Sequence, residues 1–301
     1  MTQPDPTGWA ARQKGMAMNS DEAPGGREPS ADGGDESRVR PLPFDTSRAH
    51  QARFYDYLLG GKDNYEADRA AVEAQLEIYP DLIFTARANR AFLGRAVRYL
   101  AADAGIRQFL DIGTGIPTAG NTHEVAQAVA PESQIVYVDY DPIVLAHARA
   151  LLRSNDVGAT KYIDADLRDT GTVLRLAGQL LDFTKPVAIT LLSILHAIPD
   201  SDDPYAIVAT LLAAVPSGSY LAISHVGPEF VSPETRDALL DTARRTSLQQ
   251  YTPRTREQVA RFFEGTDLVP PGLVPVEEWR PEPDTDTAGK SSFWCAVGRK
   301  R

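Results

Sequence analysis

Apolar positions recur along this chain with two different periods. Between residues 46 and 103 they fall three and four apart, the spacing of one helix face. "SRAHQARFYDYLLGG" predicts a helix that stops at Gly60 and Gly61, because glycine closes a helix without steric cost. "EADRAAVEAQLEIY" predicts a second helix. "FTARANRAFLGRAVRYLAA" predicts a third, with Phe84, Ala88, Phe92, Leu93, Val97 and Leu100 along one side. From residue 107 onward short apolar runs take over: "QFLDI", "QIVYVD", "TKYIDAD", "VAITLLS" and "YLAISHV". Helical stretches at 122–130, 142–154, 171–182 and 204–215 separate most of them. Apolar strands alternating with helices imply a parallel sheet covered on both faces. "GLVPVEEW" and "SSFWCAVGRK" read as two closing strands, and the turn formers of "RPEPDTDTAGK" between them predict a hairpin. The expected architecture is a doubly wound α/β domain over 104–301 with an N-terminal helical cap over 46–103.

Composition narrows this picture. Residues 1–45 are rich in Gly, Pro, Ser, Asp and Glu and bury too little apolar area to offset ordering entropy, which predicts a disordered tail. The remainder is ordinary for a globular chain, with 43% hydrophobic and 24% charged residues in 301. A net charge of −10 argues against a broad nucleic-acid surface. The single cysteine, Cys295, excludes an internal disulfide and a cysteine-rich zinc site. No run of about 18 apolar residues suggests a membrane span, and no secretory signal is visible, so the expected location is the cytoplasm.

The chemistry starts at "FLDIGTGIPTAGNTHEVA", residues 109–126, a strand, a glycine turn and a helix. A triphosphate loop needs a Lys after its last glycine; here Asn121 follows Gly120, and no Lys or Arg occurs between 108 and 148. A dinucleotide fingerprint needs a third glycine where Thr118 stands. It also needs an early helix start, whereas Asn121 with Glu124 forms a capping box well past the first glycines. S-adenosyl-L-methionine has no phosphates and carries a sulfonium and an ammonium. Its site needs close backbone approach, a ribose anchor and carboxylates. Asp111-Ile-Gly113-Thr-Gly115 supplies the close approach. Asp139 closes the next strand and can accept from both ribose hydroxyls, with Tyr140 beside it to pack on adenine. Asp166 closes the third strand and can accept from the adenine amino group, with Leu167 packing nearby, unless Arg168 and Asp169 hold it in a local turn. Asp141, just before Pro142, reads as a helix cap.

"FLDIGTGIPTAGNTHEVAQAVAPES", "VYVDYDPIVLAHARALL", "HAIPDSDDPYAIVATLL" and "PSGSYLAISH" resemble the S-adenosyl methyltransferase family widespread in actinobacteria, and "SRAHQARFYDYLLGGKDNYEADR" resembles its N-terminal signature. "RTREQVARFFEGTDLVPPGLVPVEEWRP" is similar to its C-terminal part. The resemblance runs from about residue 45 to the end. It implies a class I, Rossmann-like, seven-stranded sheet in the order 3-2-1-4-5-7-6 and S-adenosylmethionine as cofactor, and it supplies no acceptor.

The acceptor is expected at the end of the fourth strand, in "LLSILHAIPD". Ser193 is expected to line the cofactor, and His196 is the candidate base or positioning group. His225 is a weaker candidate at the end of the fifth strand. His123 either lines the methionine end or faces solvent. The run from His196 to Asp200 and "DSDD" reads as an acidic loop rather than a metal site. "YDYLLGGKDNY" makes a polar corner that either closes over the site or merely joins two helices. In the first case Tyr55, Tyr57, Lys62 and Asn64 meet substrate or form a lid. Arg87, Asn89 and Arg90 read as a solvated helix face. The leading expectation is a methyltransferase acting on a small molecule. The alternatives are a sensor that binds S-adenosylmethionine without turnover and, further off, a nicotinamide oxidoreductase.

Overall fold

The computed structural model describes residues 45–151, 157–246, 248, 251–282 and 289–301. The expected disordered tail lies, up to residue 44, outside the described residues, as do the end of the expected 142–154 helix and part of the "RPEPDTDTAGK" turn.

The N-terminal helices are α1 (Gln51–Leu58), α2 (Glu66–Leu76) and α3 (Leu82–Ala102). Then β1 (Gln108–Ile112), β2 (Gln134–Asp139), β3 (Ala159–Asp164), β4 (Ala188–Leu192) and β5 (Tyr220–Val226) run parallel. Between them lie α4 (Thr122–Val129), α5 (Pro142–Leu151), α6 (Thr170–Ala177) and α7 (Pro204–Ala213). The chain ends with α8 (Pro233–Arg245), α9 (Arg256–Arg261), β6 (Thr266–Leu268), β7 (Val274–Pro275) and β8 (Phe293–Lys300). The sheet order is β3-β2-β1-β4-β5-β8-β6, with β7 also paired to β8. Without the two-residue β7 this is 3-2-1-4-5-7-6, the expected order.

Side-chain alternation splits the core over the two faces of the sheet. Leu110, Ile112, Val136, Ile189, Leu191 and Ile223 pack with α6, α7 and α9 on one face. Phe109, Ile135, Tyr137, Ala188, Ala222 and Cys295 pack with α3 and α4 on the other. There α3 buries Phe92, Leu93, Val97 and Leu100, as its spacing predicts, around the fully buried Trp279. A separate cluster joins α1 and α2 to Ala243 of α8.

The closing strands differ from expectation. "GLVPVEEW" yields only Val274–Pro275 and then a 3-10 turn, and the sixth strand is Thr266–Leu268 instead. Both pair antiparallel with β8. Pro270 and Pro271 stand between them, and proline has no N–H to give the ladder, so this edge strand breaks into two pieces. Helix α8 arises where no helix is expected. Ser232 caps it by accepting from Thr235 N–H at 3.1 Å, and Pro233 occupies the first helical position.

Candidate active site

After β1 the chain turns through Gly113 (φ 77°) and Gly115 (φ 64°). Only glycine adopts such angles freely. At Gly113 space matters as well, since a Cβ there would stand 2.6 Å from Ile194 Cγ1. The following loop carries no cation of its own. Arg90 of α3 holds it, donating to Ala119 O at 3.1 Å and to Asn121 Oδ1 at 3.0 Å, while its Nε stays buried and unpartnered. Asn89 also turns inward and donates to Tyr55 Oη at 2.9 Å. Only Arg87 of this trio is exposed, so the expected solvated face is wrong for the other two. The capping box of Asn121 and Glu124 forms and starts α4 as expected.

Asp111 sits at the centre of the sheet, opposite Tyr137 on β2 and Thr190 on β4. Its carboxylate accepts from Thr122 Oγ1 at 2.6 Å and Thr190 Oγ1 at 2.7 Å. Burial pushes its carboxyl up, against the two hydroxyls. Neither threonine is marked by any sequence motif, although a hydroxyl within an apolar buried strand such as "AITLL" signals a polar partner inside.

Asp139 ends β2. Its Oδ2 accepts from Gly115 N–H at 3.0 Å and its Oδ1 from Asp141 N–H at 3.1 Å. Burial is the main influence on its carboxyl and raises it. The glycine turn and the acid after the second strand are thus joined by a direct hydrogen bond. Tyr140 next to it is half exposed over the same cleft. Asp141 caps α5 through Ile143 N–H at 2.9 Å, and its other oxygen lies 3.0 Å from His50 Nδ1 at the start of α1.

Asp111, Gly113, Gly115, Asp139, Tyr140 and Ser193 all line one cleft of about 1260 Å³, its open mouth included. Asp166 and Leu167 instead line a smaller hollow that adjoins it across Gly113, Asp139 and Tyr140. Leu167 is buried there. Asp166 is held by Arg168, which donates through its backbone at 2.9 Å and through its guanidinium at 2.5 to 3.0 Å. The local network therefore forms, and both Asp166 oxygens already have a partner.

Ser193 follows β4 with φ 55°, a strained angle for a residue with a side chain. Its N–H donates to Ser224 Oγ at 2.9 Å. His196 lies in the 3-10 turn Leu195–Ala197, and its Nδ1 is buried with no partner. Both residues face the cleft and also a second, apolar chamber. Tyr55 faces both too, with its hydroxyl donating to Ala86 O at 3.1 Å. Tyr57 and Lys62 line neither, and Lys62 is exposed. Asn64 serves the corner itself: it donates to Asp56 Oδ2 at 2.9 Å and to Gly61 O at 3.0 Å. Asp56, which sequence reasoning missed, is the acid of this corner that faces the cleft. Gly61 is required beside it, because a Cβ would fall 1.9 Å from Asp56 Oδ1.

His123 and His225 are structural. His123 neither lines the cleft nor faces solvent; it is buried, with Nδ1 2.8 Å from Tyr137 Oη. His225 places Nδ1 2.9 Å from Val226 O and accepts from Arg254 at Nε2 at 3.0 Å. Asp200 accepts from Arg254, and among the described residues no group of acids, histidines or cysteines is placed to hold a metal ion.

Burial holds the His196 ring down at about 4, with the Arg254 charge adding to it, and it drives His225 well below its usual range. The unfolded chain therefore takes up protons that the folded one refuses as pH falls below about 6.5. Stability is expected to decline from pH 6.5 toward 4, each histidine withdrawing up to about 1.4 kcal/mol per pH unit. Asp111 and Asp139, with raised carboxyls, act in the opposite sense at the acid end. Urea midpoints at pH 7, 6 and 5 check this, and His196→Phe is expected to flatten the slope. A slope identical in the two proteins contradicts it.

An open α/β sheet in this order, with a glycine turn after β1 and an acid after β2, defines a class I methyltransferase fold. The sequence profile of a family described as S-adenosyl methyltransferase matches residues 37–301. The chain belongs to this family and is an S-adenosylmethionine-dependent methyltransferase. It is similar to a solved DUF574 family protein from Streptomyces avermitilis, 45% identical, covering 85% of this chain and 99% of that one, with a TM-score of 0.81. It is also similar to a methyltransferase candidate from Thermobifida fusca, 40% identical, covering 87% and 99%, with a TM-score of 0.78. No functionally curated protein matches the sequence. Among the described residues no helix is long and apolar enough to cross a membrane.

Proposed function

We propose that the chain methylates a small-molecule acceptor that meets the cofactor at Ser193 and His196. The observation that carries this reading is that Tyr55, Ser193 and His196 face two cavities at once, the glycine-lined cleft and the apolar chamber beyond it. S-adenosylmethionine, when bound, supplies an electrophilic methyl carbon on a sulfonium.

The residues of the cleft fit that cofactor. Gly115 leaves open space for a ligand against the backbone, and Gly113 lets the turn close up against Ile194 beside it. Asp139 offers charged acceptor capacity for ribose hydroxyls. Arg90, with its unpartnered buried Nε, suits the methionine carboxylate. Asp111 suits the ammonium, supported by two hydroxyl donors that keep its carboxylate oriented. Tyr140 and Leu167 offer surfaces for the adenine ring. Asp166 is bound to Arg168, so we assign it to shaping the rim of this hollow, and to the adenine amino group only through its remaining lone pairs.

Three of the chain's own devices favour transfer. The protein orients both partners, which supplies much of the rate in a displacement. Its cap covers one side of the cleft, where His50 at the start of α1 stands beside Asp141. His196 is neutral at physiological pH, since burial disfavours its charged form, and it therefore offers a ring nitrogen that can accept a hydrogen bond and orient an acceptor group.

Asp139→Ala tests the placement. It is expected to weaken S-adenosylhomocysteine about 100-fold or more, since two hydrogen bonds to a charged group are lost at roughly 1.5–3 kcal/mol each. Calorimetric titration of the wild type and the variant reads this directly. Unchanged affinity would show that the ribose lies elsewhere.

A further inference from the structure

The chamber on the far side of Ser193 and His196 is walled by Phe54 and Leu58 of α1, Val226 at the end of β5, Leu239 of α8, and Phe293 of β8. The His196 ring meets Tyr251 and Phe293 edge to face, with centroids 6.1 and 6.0 Å apart. No Asp or Glu is among the described residues that line the chamber, and the cation among them is Arg236. A protonated amine would find no counter-charge here, so the lining selects a neutral or weakly anionic aromatic guest.

The two neighbouring histidines differ in a telling way. The fold gives His225 a partner at each ring nitrogen. It leaves His196 Nδ1 buried with none among the described residues, although that residue is buried too. A buried polar atom without a partner is a cost the fold carries only where something else meets it. Ser193, held at a strained φ of 55°, faces the same junction.

We propose that this chamber takes a phenol, a small aromatic compound whose hydroxyl meets the His196 ring, and that the oxygen is the methyl acceptor. This rests on the cofactor lying in the adjoining cleft. The oxygen's lone pair forms the new O–C bond as the S–CH₃ bond breaks, its electron pair staying on sulfur. The His196 ring accepts a hydrogen bond from the hydroxyl and orients it, and the proton released as the ether forms goes to water. An alkyl amine, protonated at neutral pH, is refused for want of a carboxylate.

The test uses the full chain saturated with S-adenosylhomocysteine and titrated calorimetrically with 2-naphthol, 2-methoxynaphthalene and 2-naphthylmethylammonium. The expected result is that 2-naphthol binds about tenfold more tightly than its methyl ether, the worth of one hydrogen bond, and that the ammonium does not bind. His196→Phe is expected to bring the naphthol and its ether to equal affinity. Val231→Trp, which narrows the chamber outside the cleft, is expected to abolish naphthol binding and leave S-adenosylhomocysteine binding unchanged. Equal binding of naphthol and ether by the wild type, or preference for the ammonium, overturns the phenol assignment. A chain that prefers naphthol but binds no S-adenosylhomocysteine overturns the cofactor reading and leaves the ligand class of the chamber standing.

Discussion

Gly113→Ala is expected to lose cofactor binding and about 2–5 kcal/mol of stability. Two costs add. A left-handed φ of 77° costs an L-residue about 1–2 kcal/mol. The added methyl would also stand 2.6 Å from Ile194 Cγ1 and 2.7 Å from Ile194 Cβ, and overpacking of this kind costs about 1–3 kcal/mol. Ile194 cannot swing clear, because Cβ is the root of its side chain and β-branching restricts it further. The turn must shift, and with it the Gly115 N–H that Asp139 accepts. Gly115→Ala is the control: its φ is also left-handed, at 64°, but nothing lies within 4 Å of the added atom. It is expected to pay the conformational cost alone. Urea denaturation and S-adenosylhomocysteine titration of both variants separate the two terms. Equal losses in the two variants would remove the argument from close packing.

Arg254→Met is expected to have the larger effect on folding. The Arg254 side chain is 1% exposed. It donates to Leu195 O at 2.9 Å, Ile198 O at 2.8 Å, His225 Nε2 at 3.0 Å and Asp200 Oδ1 at 2.7 Å. Methionine matches its length and supplies no donor. Asp200 is 66% exposed and regains water. Leu195 O keeps the Ile198 N–H at 3.2 Å, but the Ile198 carbonyl and the histidine nitrogen lose their donor, and an orphaned buried acceptor costs about 1–3 kcal/mol. The expected loss is about 2–6 kcal/mol, a large share of the 5–15 kcal/mol typical of a domain. Both carbonyls belong to the segment that carries His196, so this arginine is also what fixes the turn between the two cavities. Lysine does not rescue it, since it lacks the planar fork that reaches several acceptors at once. A denaturation midpoint close to the wild type for Arg254→Met would contradict this role.

The sheet was legible because a parallel strand buried on both faces must be apolar throughout, and five such runs stand in order between helices. The cleft beside the glycine turn was legible for a related reason. Asp111, Gly113, Gly115 and Asp139 sit at strand ends, where backbone geometry alone brings them to one edge. What escaped was whatever depends on side-chain direction or distant contact. Tyr55 and Tyr57 read alike in sequence, but residues two apart on a helix face away from each other, and only Tyr55 reaches the cavities. Arg90 looked solvated because its partners at 118–121 lie 28 to 31 residues further along the chain and follow no fixed spacing. Helix α8 has a weak apolar face, and its start signal, Ser232-Pro233-Glu234, was visible but unsupported by periodicity. Because α8 walls the apolar chamber, missing it hid the chamber. The sixth strand was misplaced for the opposite reason. "GLVPVEEW" has apolar alternation, yet the preceding prolines break the edge ladder and leave it two residues long.

The most direct measurement of the central claim is a calorimetric titration of the purified chain with S-adenosylhomocysteine, with NADH as the comparison. The account predicts micromolar binding of S-adenosylhomocysteine, lost in Asp139→Ala, and no binding of NADH. Binding of NADH instead, or S-adenosylhomocysteine affinity untouched by the loss of Asp139, would contradict it.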